Sequence, residues 1–317
     1  MGLSRDERAK AAKAFLNKRL PAILKSNTRA RKGVEHAELI VDPPPVSTKR
    51  DAGGSREPAG DGEHDENEEK SISIRLQVGD TLEAASRLVV PNPSKPHHKP
   101  RVAILNMASP LRPGGGVLTG ATSQEEWLCA RTSLYPSLRE EFYRLPEVGG
   151  VYTPDVLVCK MWDDEALELK SQDQFFINVI TAAMLRLPDV EEQRGVVVYA
   201  EQKDRDIVLQ KMRAVMRILL SKGVERVVLG AWGCGAYANP VGEIARAWKR
   251  VLLGTKSKKT GQKESIDGLD IVFAIKDRRM ALQFAEAFGP ELVMENEDES
   301  LIAPHEPDEP SHPSGAE

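Results

Sequence analysis

Two hydrophobic periods alternate along the chain and divide it into elements. Ser71-Ile72-Ser73-Ile74-Arg75-Leu76-Gln77-Val78 alternates strictly, which predicts a half-buried strand, since successive side chains of a strand point to opposite faces. Short continuous apolar runs at 102–106, 156–159, 175–180, 227–229 and 271–275 predict buried strands, with a weaker one at 196–199. Between these runs the period lengthens to that of a helix. Asp206 to Ser221 sets Val208, Met212, Val215, Met216 and Leu219 on one face and is closed by Gly223. Near the start, Ser4-Arg5-Asp6-Glu7 reads as a capping box opening a helix whose Ala12, Phe15, Leu16 and Leu20 form a stripe, interrupted or kinked at Pro21. Further helices are expected from Thr81 through Leu88, from Gln124 to Tyr135 with Pro136 as its stop, over 138–145, and over Arg278–Phe288 with Gly289 as its stop. Asn239-Pro240 reads as N-cap and first residue of a helix carrying Ile244, Trp248 and Val251.

Strands alternating with helices, with glycine-rich loops where strands end, argue for an α/β sheet covered by helices on both faces, its ligand lying in the crevice outside the strand ends. The ordered pattern spans 71–290. Before it lie an N-terminal helical extension at 1–42, expected to pack on the core, and an acidic, proline- and glycine-rich stretch at 43–70 that reads as a disordered linker or insertion. Lys256 to Lys263 is a basic surface loop, and 291–317 reads as a disordered acidic tail.

One junction concentrates the chemistry. The apolar run Val102-Ala103-Ile104-Leu105 leads into Gly114-Gly115-Gly116, and seven residues later comes Gln124-Glu125-Glu126, placed at the first turn of a helix. Glycines let a ligand approach the backbone, and N–H groups in such a turn converge on phosphate oxygens. By themselves they also fit a plain tight turn. Ser123-Gln124-Glu125-Glu126 also satisfies S-x-x-E, a capping box in which Glu126 merely bonds back to Ser123. That reading explains one glutamate and leaves a second beside an anion-binding loop. A carboxyl that donates a proton to a leaving oxygen and then activates water is what glycosidic hydrolysis requires.

Charge narrows the partners. With 44 basic and 48 acidic residues the net charge is −4, which gives no electrostatic footprint for sequence-specific nucleic-acid binding; a polyanion would have to be met by a local site. Cys129, Cys159 and Cys234 are odd in number and far apart, which suggests neither a disulfide framework nor a zinc site and fits an intracellular, reducing compartment. The six histidines (His36, His64, His97, His98, His305, His312) fall in segments that read as linker or tail, which argues against a Ser-His or Cys-His pair and against a histidine-ligated metal. No run approaches a membrane span.

Gly-Gly-Gly, seven residues, Gln-Glu-Glu resembles the signature of the poly(ADP-ribose) glycohydrolases. The flanks Leu105-Asn106-Met107-Ala108-Ser109 and Leu128-Cys129-Ala130-Arg131-Thr132-Ser133-Leu134-Tyr135 are similar to the microbial-type branch. Leu229-Gly230-Ala231-Trp232-Gly233-Cys234-Gly235-Ala236-Tyr237-Ala238-Asn239-Pro240 resembles the second phosphate-side loop of the macrodomain fold on which that family is built. The resemblance implies a macrodomain-like mixed sheet. It implies that Glu126 is the acid/base, that Glu125 orients ribose hydroxyls, and that Gln124 fixes the pair. It further implies that Asp80 bonds the purine amino group, that Asn106 points to the distal ribose, and that Gly114, Gly115 and Gly116 admit the ligand. Gly233, Cys234, Gly235, Ala236 and Tyr237 would close the other side. Ser109 stands where many macrodomains carry a second asparagine. An ordinary N-cap for Asp80, and a buried amide bonding only backbone for Asn106, compete with these roles. The implied substrate is poly(ADP-ribose) or ADP-ribosylated protein, cut by a monomer that needs no cofactor or metal, in the nucleus or cytoplasm. A mono-ADP-ribosyl hydrolase and a non-catalytic ADP-ribose reader are the alternatives.

Overall fold

The computed structural model describes residues 3–46, 72–254, 266 and 268–295. The expectations for 47–70, for the loop at 256–263, for the tail from 296 and for His64, His305 and His312 lie outside the described residues.

The alternation seen in the sequence becomes two separate cores on one sheet. Strands β1 (Glu38–Val41), β2 (Ser73–Gln77), β3 (Val102–Met107), β4 (Gly149–Val158), β5 (Phe175–Ala182), β8 (Arg226–Leu229), β9 (Asp270–Ala274) and β10 (Val293–Met294) form a mixed eight-stranded sheet in the order β1-β4-β5-β3-β8-β9-β2-β10. β5, β3, β8, β9, β2 and β10 run parallel, and β4 runs antiparallel to both β1 and β5. A separate ribbon pairs β6 (Val190–Gln193) with β7 (Val196–Tyr199). Ala103 and Leu105 of β3 enter one core with helices α6 (Gln202–Ser221), α7 (Val241–Leu253) and α8 (Arg278–Phe288). Val102 and Ile104 of the same strand enter the other, with α1 (Arg5–Ala14), α2 (Leu20–Ser26), α4 (Thr81–Leu88) and α5 (Gln124–Cys129). The period of two thus feeds both faces, as a two-sided α/β sheet requires.

Several elements depart from their sequence reading. The capping box at Ser4 forms, but the chain stays helical through Pro21. A π-helical turn at Phe15–Arg19 closes with the Leu20 N–H on the Phe15 carbonyl and places Pro21 at the start of α2, where its missing N–H is tolerated. α5 ends at Cys129 rather than Tyr135. Thr132 bridges to Val158 and the Ser133 N–H donates to the Leu157 carbonyl, so pairing with β4 takes the backbone that would have extended the helix. Over 138–145 the only regular turn is at Glu140–Phe142, and Leu138, Phe142 and Leu145 are buried individually. Gly149 and Gly150 open β4. A side chain on either would collide with a neighbouring backbone carbonyl, Ile40 O for Gly149 and Thr181 O for Gly150. The N-terminal segment, read as wholly helical, follows α3 (Thr28–Glu35) with β1, an edge strand of the sheet. Past 290 the chain still adds β10.

Candidate active site

The C-terminal ends of β2, β3, β8 and β9 meet at one edge of the sheet, around a cleft of about 720 Å³ that runs from Gly79, Asp80 and Thr81 past Gln124 and Glu126 to Gly235. The chain reaches it by leaving β3 through the triple glycine. Gly114 and Gly115 have φ of 65° and 56°, a left-handed conformation that costs an L side chain roughly 1–2 kcal/mol. Space excludes one as well: a Cβ on Gly115 would stand 2.5 Å from Glu126 Oε1 and 2.9 Å from Glu125 Oε2. The glycine backbone therefore lies directly against the two carboxyls.

α5 presents those carboxyls through Gln124. Its Oε1 accepts from the Met107 N–H at 2.9 Å and its Nε2 donates to the Leu105 carbonyl at 2.8 Å, which fixes the first turn of α5 to the C-terminal end of β3. With its amide so occupied, Gln124 holds the turn that carries the glutamates, and it also lines the cleft. Ser123 makes no side-chain cap, and Glu126 does not reach back to it. Instead Glu126 Oε1 accepts from the Gly116 N–H at 2.7 Å, and Glu125 Oε2 accepts from the Ser109 N–H at 2.7 Å. The capping-box reading of Glu126 therefore fails on geometry, and Ser109 acts through its backbone.

Both carboxyls are buried, Glu125 to 2% exposure and Glu126 to 8%, and each keeps one oxygen, Glu125 Oε1 and Glu126 Oε2, without a partner among the described residues. Burial, with the Glu126 charge beside it, pushes the Glu125 carboxyl up to about 8 against the Ser109 N–H bond and the neighbouring Asn106 amide and Gly114 N–H. Asn106, fully buried, donates to Thr181 Oγ1 at 3.1 Å and lies against Glu125; its Oδ1 is unpartnered among the described residues.

Around this centre the remaining expected residues divide. Asp80 caps α4, its Oδ1 accepting from the Leu82 N–H at 2.8 Å, and burial raises its carboxyl against the charges of Lys276 and Arg131. Asp80 is thus both the cap and a wall of the cleft. Tyr237 is not among the residues that line the cleft; its hydroxyl lies beside Ser109 and near enough to Glu125 to feel its charge. Gly235 lines the cleft, whereas the side chain of Cys234 packs on the core and its thiol is pushed up by burial to about 12. At Cys234 the loop therefore offers its backbone. Asn239 is not an N-cap, a place taken by Pro240. It is buried beneath the loop, donating to the Leu185 and Gly233 carbonyls at 2.7 and 3.1 Å and accepting from the Tyr199 hydroxyl at 2.8 Å.

Sequence reading missed four contributors. The Arg131 guanidinium covers the Trp127 ring at 3.2 Å and Lys276 lies 4.4 Å from the same ring, so a cation-flanked aromatic borders the Asp80 end. The spacing of four between Trp127 and Arg131 was a visible signal. Tyr143 has a buried hydroxyl without a partner among the described residues, near enough to Glu125 to feel its charge, and nothing in its local sequence announces this. Finally, α1 is part of the cleft wall. Arg5 and Arg8 donate to the Thr119 and Gly120 carbonyls at 3.0 Å each, and Leu3, Arg8, Ala11 and Ala12 line the cavity. Gly120, at φ 74°, could carry no side chain without meeting the Arg5 carbonyl.

Residues 35–160 match the family model of the microbial-type PARG catalytic domain. Among solved structures, the fold is similar to poly(ADP-ribose) glycohydrolase from Thermomonospora curvata at 23% identity and a TM-score of 0.65, covering 90% of this chain and 100% of that one. The same enzyme bound to the inhibitor ADP-HPD gives a TM-score of 0.64. Poly(ADP-ribose) glycohydrolase from Deinococcus radiodurans in complex with ADP-ribose is 27% identical with a TM-score of 0.53, covering 68% of this chain and 82% of that one. In sequence and in fold, the chain is similar to microbial-type poly(ADP-ribose) glycohydrolases. No curated protein matches the sequence. The family match contains both the triple glycine and the Gln124-Glu125-Glu126 turn, so the poly(ADP-ribose) glycohydrolase likeness includes the carboxyl pair. Among the described residues no group of three His, Cys, Asp or Glu side chains is arranged to hold a metal, and no helix is long and apolar enough to cross a membrane.

Proposed function

We propose that this protein hydrolyses poly(ADP-ribose), cutting ribose–ribose O-glycosidic bonds to release ADP-ribose, with Glu126 as the acid/base. The observation that carries the assignment is the half-satisfied Glu126 carboxylate: one oxygen is fixed by the Gly116 N–H, and the other is buried, unpartnered among the described residues, in a side chain that borders the cleft. In the reaction Glu126 gives its proton to the leaving ribose oxygen as the C–O bond breaks, and positive charge develops on the distal ribose. Glu126, now a carboxylate, then takes a proton from the water that adds to that carbon, which regenerates the acid. Glu125, held by Ser109, orients the ribose hydroxyls from beside it, and Asp80 receives the purine at the other end of the cleft.

One opposing effect has to be met. The N-terminus of α5 favours the ionised form of a carboxyl by about 0.3–1 kcal/mol, whereas an acid working near neutrality must hold its proton. Burial has already overcome this for Glu125, raised to about 8, and an anionic diphosphate in the cleft acts in the same direction.

Three free cysteines support an intracellular setting. Incubation of the purified protein with poly(ADP-ribose) and, separately, with a mono-ADP-ribosylated protein tests the reading. Release of ADP-ribose from the polymer is expected; release only from the modified protein would replace the polymer with a mono-ADP-ribosyl substrate.

A further inference from the structure

A second concave site lies at the opposite end of the sheet from the carboxyl pair. A groove of about 590 Å³ opens where β3 and β5 begin and β4 bulges, lined by Arg29, Lys99, Arg101, Asp155, Phe176 and Lys222. Four cations and one carboxylate line it, with Glu38 and Glu225 beside it. Two of the cations are engaged. Arg29 pairs with Asp155 at 2.6 Å and covers the Phe176 ring at 4.0 Å, and Lys222 pairs with Glu38 at 2.5 Å and lies 5.2 Å from the Tyr152 ring. The other two have no carboxylate on their side chains. Arg101 donates its guanidinium to the Lys222 carbonyl, and Lys99 makes no side-chain hydrogen bond or ion pair among the described residues. The neighbouring Glu225 bonds neither side chain: its oxygens accept from the Arg101 backbone N–H and contact the His98 ring.

This surplus is local, in a chain whose net charge is −4. Lys99 and Arg101 flank Pro100 immediately before β3, and the six residues of β3 separate them from the glutamate-bearing end by roughly 17 Å. A single ADP-ribose in the cleft leaves the groove open. A polymer with one end in the cleft places its remaining diphosphates, each anionic, at high effective concentration around the same molecule.

We propose that this groove is a second binding site, for the phosphates of poly(ADP-ribose) units remote from the one in the cleft. The inference rests on the polymer-hydrolase reading above and adds to it a source of affinity that grows with chain length. Retention is electrostatic, carried by Lys99 and Arg101, because Phe176 and Tyr152 are already covered by Arg29 and Lys222 and offer no free ring for stacking.

The test measures binding of long poly(ADP-ribose) and of ADP-ribose to the Glu126→Gln protein, alone and with Lys99→Glu added, at low and high salt. Lys99→Glu is expected to weaken the long polymer about tenfold at low salt, with the gap closing as salt rises, while ADP-ribose affinity and melting temperature stay unchanged. Unchanged polymer affinity, in this variant and in one carrying Lys99→Glu with Arg101→Gln, would overturn the groove, as would equal losses for monomer and polymer. Single-stranded polyadenylate displacing the polymer as effectively as ADP-ribose polymer itself would overturn it in favour of general nucleic-acid binding. Release of ADP-ribose from polymer by the wild-type protein is scored separately, so failure of the catalytic reading and failure of the groove are distinguishable.

Discussion

The backbone N–H of Gly116 donates a 2.7 Å hydrogen bond to Oε1 of Glu126, across ten residues of sequence. This bond joins the glycine loop after β3 to the helix that carries the carboxyl pair, and it removes the glutamate from any role as a helix cap.

Glu126→Gln keeps an oxygen able to accept from Gly116, so the loop and fold should survive with a melting temperature close to wild type. The amide can neither donate a proton to the leaving oxygen nor recover one from water. Hydrolysis of poly(ADP-ribose) should fall by about 10²–10⁴-fold with ADP-ribose affinity nearly retained. Near-normal turnover would remove Glu126 from the reaction.

Ser123→Ala separates the catalytic geometry from the capping box. A functioning Ser cap is worth about 0.5–2 kcal/mol, but Ser123 makes no side-chain cap here. Thermal and denaturant unfolding of the variant should therefore match wild type within experimental error. A loss of the full capping value would restore the box.

Gly115→Ala should damage the fold and the site together. Its φ of 56° penalises a side chain by roughly 1–2 kcal/mol, and the new Cβ would press on Glu126 Oε1 and Glu125 Oε2. Melting temperature and turnover should both drop. A folded variant of normal stability that had lost only ADP-ribose affinity would mean that the glycine serves the ligand alone.

The raised carboxyl of Glu125 makes stability depend on pH in a definite direction. An acid at 4.5 when unfolded and about 8 when folded binds more protons in the folded state between those values, so its contribution falls as pH rises from 4.5 and levels off above 8. The slope approaches about 1.4 kcal/mol per pH unit. Glu125→Gln removes this titration, so the variant should gain stability relative to wild type on going from pH 5 to 8. A pH-independent difference in unfolding free energy would place the Glu125 titration elsewhere.

Asp80→Asn retains an acceptor for the Leu82 N–H, so α4 should stay capped. It loses the carboxylate that the purine amino group would meet, an interaction of about 1.5–3 kcal/mol. Calorimetric titration should show ADP-ribose binding at least about tenfold weaker at unchanged melting temperature. Unaltered affinity would leave Asp80 as a cap only.

The sequence by itself determined the layered α/β plan and the local motifs that meet at the cleft. Three glycines and a Gln-Glu-Glu turn are local patterns, and the continuous apolar run Val102 through Leu105 already specifies a strand with two buried faces. Asp80 and the α6 apolar face were legible for the same reason, since capping and helical periodicity are short-range. What only the tertiary structure decided depends on partners distant in the chain. α5 stops at Cys129 because Thr132 and Ser133 find β4, and Glu126 turns from Ser123 to Gly116 because the folded glycine loop offers an N–H at the right distance. Burial of the pair, which raises Glu125 to about 8, arises from the closure of Gly115, Ser109 and Asn106 around it. The same holds for α1, whose amphipathic stripe showed that it packs but not that Arg5 and Arg8 would bond the Thr119 and Gly120 carbonyls and wall the cleft. Periodicity records which face of an element is buried; what that face meets is fixed only when the chain closes on itself.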